Sequence, residues 1–162
     1  MRRSRTDLHV DDDGFVRAPA GLVYRRLTDV AGWPDWWPGI RVRPLPPECA
    51  PDAPPDAAPD EVWALDLAGA PLRRIRIAAR LHGWRHEQGF ALALRGDLEG
   101  RAEFWLEPGH GGTVVHHLLV ASAPKARASA VLVDYRRAVR RGLWGLKDHL
   151  HLESRTSAGL LP

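Results

Sequence analysis

One cysteine, Cys49, stands in the whole chain of 162 residues, so no disulfide can form within it and no cysteine cluster can hold zinc. Long apolar runs are missing too: no 18 consecutive apolar residues occur, which excludes a bilayer-spanning helix on hydropathy. The beginning, Met1-Arg2-Arg3-Ser4-Arg5, leads to Asp7 and Asp11-Asp12-Asp13 rather than to an apolar stretch, so it does not read as a secretory signal. A cytoplasmic setting is the expectation. Lysine is almost absent, with only Lys125 and Lys147; arginine supplies the remaining positive charge, as GC-rich genomes favour. The formal charge of +3 is mild, and the dense basic stripe among exposed aromatics that marks nucleic-acid binders is not found.

Catalytic signatures are equally scarce. There is no H-E-x-x-H, G-x-S-x-G, P-loop or dinucleotide fingerprint. His149 and His151 sit two apart at a helix end and point in different directions, and His82 and His86 straddle a turn. No metal and no cofactor are therefore expected. Asp11-Asp12-Asp13-Gly14 lacks the glutamate of a calcium loop and reads as part of an edge strand, a turn or a bulge. Cys49 lies in a proline-rich loop with no nearby base.

What is present is periodicity. From Lys125 to Leu150 the apolar residues Ala128, Leu132, Tyr135, Val139, Leu143, Leu146 and Leu150 recur at steps of three or four, giving one stripe about seven turns long. Arg136, Arg137, Arg140, Arg141, Lys147 and Asp148 take the other side. So long a stripe needs a broad surface beneath it. Strand patterns supply one. Leu8–Val16 and Ile40–Leu45 read as strands, and Val62–Leu67 puts Trp63, Leu65 and Leu67 on one face. Leu72–Trp84 alternates Ile75, Ile77, Ala79 and Leu81 against Arg74, Arg76, Arg80 and His82. Phe90, Leu92 and Leu94 follow, then a Gly96-Asp97 hairpin turn. Ala102, Phe104 and Leu106 alternate with Glu103, Trp105 and Glu107, and Thr113–Ala121 is the last strand. The arginines of the Leu72–Trp84 strand and the glutamates of the Leu98–Glu107 strand are expected to share a solvated face and pair across it.

Between these pieces lie a short helix, opened by Ala18-Pro19 and running to Asp29, and the segment Trp33-Pro34-Asp35-Trp36-Trp37-Pro38-Gly39. Its three tryptophans can plug one end of the core or wall a pocket. Residues 44–60, rich in Pro, Ala and Asp, can form neither a ladder nor a helix interior; they read as an exposed loop, a lid or a passive insertion. One domain over residues 7–153 is expected, with tails at 1–6 and 154–162.

In this order the pieces resemble the START-like, or SRPBCC, superfamily, in its polyketide cyclase/dehydrase and lipid-transport branch. Ala18-Pro19 with Leu22-Val23, Thr28-Asp29-Val30 before the tryptophan segment, Gly96-Asp97-Leu98-Glu99-Gly100, and Gly111-Gly112-Thr113-Val114 carry the resemblance. It implies an α+β helix-grip fold: a curved antiparallel sheet wrapped around a long C-terminal helix, with two short helices after the first strand. It also implies a cavity between sheet and helix for a lipid, a polyketide or another small hydrophobic ligand. The residues 44–60 depart from the pattern, and no catalytic motif of the family maps onto this chain position by position.

The expected cavity wall is Trp63, Leu65, Ile75, Ile77, Phe90, Leu92, Phe104, Tyr135 and Val139, with Trp33, Trp36 and Trp37 near one end. Candidate proton-handling groups are Tyr135, on the buried stripe, and His116 or His117, adjacent on a strand whose two faces are both apolar. Three functions stay open: a carrier for a hydrophobic ligand, an aromatase/cyclase using the same cavity, and an interaction module presenting the arginine-rich helix face. Monomer and homodimer are both compatible with the sequence. Gly142 and Gly145 each cost about 1 kcal/mol inside the helix. Their gain is either the close approach of a strand or room for a ligand; in the second case Gly142→Leu reduces ligand uptake more than stability.

Overall fold

The computed structural model describes residues 4–52 and 61–158. Seven strands form one antiparallel sheet: β1 (Arg5–Val16), β2 (Ile40–Pro44), β3 (Val62–Ala68), β4 (Arg74–Arg85), β5 (Gly89–Gly96), β6 (Glu99–Gly109) and β7 (Gly112–Pro124). Their spatial order is β1-β7-β6-β5-β4-β3-β2, so the six consecutive strands β2 to β7 form a meander and β1 crosses over to flank the last. Helix α1 (Ala20–Thr28) and a 3-10 turn (Val30–Asp35) link β1 to β2. Helix α2 (Ala128–Ala158) closes the chain. No helix among the described residues is long and apolar enough to cross a membrane.

The sheet buries one face because its side chains alternate. Ile75, Ile77, Ala79 and Leu81 of β4 are buried, as are Ala102, Phe104 and Leu106 of β6 and Val115, His117, Leu119 and Ala121 of β7. The α2 stripe that meets them is broader than the apolar periodicity shows. Val131, Asp134 and Ala138 are buried beside Ala128, Tyr135, Val139, Leu143, Leu146 and Leu150.

Several boundaries move. Arg5 and Thr6, expected in a tail, pair with Pro124 and Ala123. Arg5 is anchored by bonds from its guanidinium to the Ser122 hydroxyl and carbonyl at 2.9 and 2.7 Å. Helix α2 begins three residues later than the stripe suggests, because Lys125–Arg127 form a turn in which the Arg127 amide bonds the Pro124 carbonyl. It passes residue 154 and reaches Ala158, since no Gly or Pro follows Gly145 before Gly159. The Asp11–Gly14 run makes neither turn nor bulge; it pairs in unbroken register with Leu118–Val115. The expected pairing of β4 arginines with β6 glutamates does not occur, because β5 lies between them. Arg74 pairs with Asp66 of β3 instead. Of the proline-rich loop, residues 44–52 are described; the lid reading of residues 53–60 lies outside the described residues, as do residues 1–3 and 159–162.

The tryptophan segment is fixed to α2 by two glycines. A Cβ at Gly142 would lie 2.6 Å from the Trp37 ring, and one at Gly145 would lie 1.8 Å from the Trp36 carbonyl oxygen. The glycines therefore admit the segment, not a ligand. The expectation that Gly142→Leu acts mainly on ligand uptake is corrected accordingly: the side chain would displace the Trp37 indole and act on stability first.

The turn joining β3 to β4 is tied to α2 as well. The buried Asp134 carboxylate accepts bonds from Arg73 at 2.9 and 3.0 Å and from the Ala70 amide at 3.2 Å. Two turns further on, Arg141 donates to the Ala68 carbonyl at 2.7 Å.

Candidate functional site

Directly opposed residues of neighbouring antiparallel strands point to the same face. Register aligns Phe90 of β5 with Phe104 of β6, and Phe104 with His117 of β7. A row of rings results. Phe90 stacks on Phe104 with centroids 5.6 Å apart, Phe104 lies 4.4 Å from the His117 imidazole, and Trp33 closes edge-on to Phe104 at 6.3 Å. His117 ends the row under α2, where its Nε2 and the Tyr135 hydroxyl are 2.7 Å apart. Both groups are buried, and His117 Nδ1 has no described partner in good hydrogen-bond geometry.

This pair faces a small internal cavity of about 20 Å³. That is room for one water molecule. The wall contains Trp33, Trp37, Leu65, Ile77, Leu92, Phe104, His117 and Tyr135. Three further residues were not anticipated: Leu67, Leu94 and Ala102. Each follows the alternation of its strand, so extending the inward set to the strand ends would have found them. Five other expected wall residues are placed elsewhere. Trp36, Ile75, Phe90 and Val139 are buried in the surrounding core. Trp63 is half-buried, with its indole N–H donating to Glu61 at 2.8 Å. The tryptophans thus serve both expected roles: all three fill the core, and Trp33 and Trp37 also line the cavity.

His116 faces outward. It stacks on Trp105 at 4.8 Å and meets Glu107 at 3.0 Å on the outer side of the sheet. The choice between the two histidines, open on the sequence, falls to His117 because Thr113, Val115, Leu119 and Ala121 share its inward phase.

Burial sets the protonation of the pair. Loss of water pushes the His117 imidazole down to about 4, against smaller upward pulls from Asp12 and from the backbone at Glu103. The Tyr135 phenol is pushed well above its ordinary value by the same loss of water. Both groups are neutral at pH 7. If His117 Nε2 donates to the tyrosine oxygen, the phenol proton is free to bond a guest. If the phenol donates to Nε2, the imidazole carries its proton on Nδ1, whose contact with the Glu103 backbone falls short of good hydrogen-bond geometry. Either arrangement leaves at least one polar position poorly satisfied in an apolar enclosure, which costs about 1–3 kcal/mol for each. Asp12, across the register from His117, is held by Arg140 of α2 at 3.2 Å. Among the described residues no three His, Cys, Asp or Glu side chains gather in metal-binding geometry.

A meander of strands gripping a long closing helix, with two short helical pieces after β1, is the helix-grip architecture of START-like proteins. Solved structures share it. The Zhui aromatase/cyclase from Streptomyces sp. R1128 superposes with a TM-score of 0.71 at 17% identity, over 94% of this chain and 98% of that one. A START superfamily protein from Mycobacterium smegmatis gives 0.68 at 15% identity, over 89% and 97%. A di-domain aromatase/cyclase of the steffimycin biosynthetic pathway gives 0.64 at 13% identity, over 91% of this chain and 52% of that one. The likeness is one of fold. No protein-family model and no curated protein sequence matches the chain.

Proposed function

We propose that the protein binds a small, largely apolar molecule between the sheet and α2, with one carbonyl or hydroxyl oxygen of that ligand held by the His117–Tyr135 pair. One observation carries the reading. An otherwise apolar interior contains a hydrogen-bonded polar pair with a spare valence, and a guest's polar atom would satisfy it. The aromatase/cyclase and START names of the solved neighbours support the same class of ligand.

Magnitudes bound the affinity. Opening the cavity for a two-ring guest of roughly 150 Å³ costs about 3–4 kcal/mol at ~24 cal/mol per Å³. Burying roughly 300 Å² of that guest returns about 7–8 kcal/mol. With one hydrogen bond of about 1 kcal/mol, a net of about 4–5 kcal/mol is left, a Kd near the millimolar range. A larger ligand buries more and binds tighter. A base held near pKa 4 and a phenol harder to ionise than usual are poorly matched to proton transfer at pH 7. The pair is better suited to orienting a ligand oxygen than to aromatase/cyclase chemistry.

Calorimetric titration with 2-naphthol tests this. Wild type binds with a Kd of about a millimolar, and Tyr135→Phe, checked by circular dichroism to be folded, binds about fivefold more weakly. Equal affinities in the two proteins contradict the assignment of the polar contact.

A further inference from the structure

The outer face of the sheet carries a second feature, independent of the interior site. A groove of about 670 Å³ runs across β2, β3, β4 and β5. Register builds it from two rows. Arg41, Asp66 and Arg76 lie side by side in one; Arg43, Ala64, Ala78 and Arg95 lie side by side in the other. The alanines make a shallow apolar floor, with Leu45 at its rim.

The charge is one-sided. Asp66, the acidic residue lining the groove, is engaged by Arg74 and lies 3.9 Å from Arg76. Asp97 at the β5–β6 turn accepts from the Arg76 amide and pairs with Arg127. Arg80, further along β4, reaches the Pro47 carbonyl. Arg41, Arg43 and Arg95 are exposed and make no hydrogen bond or ion pair with a described residue. Protection of an edge strand accounts for arginines on β2. It does not account for Arg76 and Arg95, which lie on inner strands.

We propose that this groove docks an acidic amphipathic helix of a partner protein. Strands lie about 4.8 Å apart and i, i+2 residues about 7 Å apart, so the guanidiniums frame a patch of about 14 by 7 Å. One phosphate cannot reach across it. Carboxylates at i, i+7 and i+10 or i+11 of a helix are spaced about 10 and 15–16 Å along its axis, close to the two and three strand spacings that separate Arg41 from Arg76 and Arg43 from Arg95. Apolar side chains between them would rest on the Ala64–Ala78 floor. Arginine favours such contacts because its planar fork meets a carboxylate with two parallel bonds.

The test uses the full chain and a labelled synthetic helix about five turns long, carrying glutamates along one stripe and leucines beside it. At about 50 mM salt, where screening is weak, wild type binds it. The double variant Arg43→Glu/Arg95→Glu weakens binding by at least about tenfold, whereas Arg136→Glu/Arg155→Glu, with the same change in net charge on exposed α2 positions, changes it by less than about twofold. All four side chains are exposed, so both variants fold, as thermal melts verify. Equal loss in the two double variants overturns the proposal, since net charge alone would then explain binding. So does absence of binding by wild type, or displacement of the helix by an equal concentration of tripolyphosphate, which would mark a site for small polyanions.

Discussion

Gly145→Ala lowers the melting temperature by about 10 °C or more, a loss of at least roughly 3 kcal/mol. Helix propensity alone points the other way, since alanine gains about 1 kcal/mol over glycine in a helix interior. Contact geometry decides the sign. The added Cβ would stand 1.8 Å from the Trp36 carbonyl oxygen, and backbone cannot swing aside as a flexible side-chain tip can. Either α2 or the tryptophan segment must move, and the Trp33, Trp36 and Trp37 rings pack against one another with centroids 5.5 to 6.1 Å apart, so one shift disturbs all three. Arg136→Ala, on the exposed side of the same helix, is the control and changes the melting point little. A stabilised Gly145→Ala protein would mean that the helix does not approach the segment as described.

Acid destabilises the fold in a window set by His117. The unfolded imidazole titrates near 6.5 and the folded one at about 4. Between those values the unfolded state binds more protons, so stability falls as the pH drops from 6.5 towards 4 and then levels. The total is about 3 kcal/mol. His117→Gln should flatten that segment of the profile, whatever it does to stability at pH 7. Asp134 acts in a separate window. Its carboxyl is held below the ordinary range chiefly by the Arg73 hydrogen bond, so its contribution is present above the usual carboxylate pKa of 3.8 and is lost as the pH falls below that. Urea unfolding at a series of pH values separates the two. An unchanged slope between pH 6.5 and 4 in His117→Gln would place the titrating group elsewhere.

Much of this arrangement is legible in the sequence, for identifiable reasons. Strict alternation in Leu72–Trp84 specifies an inward set, and the structure buries Ile75, Ile77, Ala79 and Leu81 as that alternation requires. The stripe from Ala128 to Leu150 likewise reports the gripping face of α2. Other features depend on contacts far apart in the chain. Asp134 breaks the apolar stripe, and only the approach of Ala70 and Arg73 explains its burial. His116 and His117 look equivalent because Val114, Leu118 and Val120 are as apolar as their neighbours. The pairing of Trp105 with His116 and of Phe104 with His117 separates them. Gly142 and Gly145 signal that something comes close to α2, but not that it is the tryptophan segment. The small size of the cavity was not readable, since its volume depends on how completely Trp33, Trp37 and Phe104 fill the space under the helix.

The most direct test of the interior binding site is nuclear magnetic resonance of the protein carrying nitrogen-labelled histidine, titrated with 2-naphthol. His117 and His116 are adjacent in sequence and lie on opposite faces of β7, one inside and one outside, so each is a control for the other. With the ligand held by the His117–Tyr135 pair, the His117 ring nitrogens shift progressively and saturably while those of His116 stay in place, and Tyr135→Phe weakens the response. Shifts confined to His116 and the other exposed histidines, or an unmoved His117 at naphthol concentrations well above a millimolar, would contradict that mode of binding.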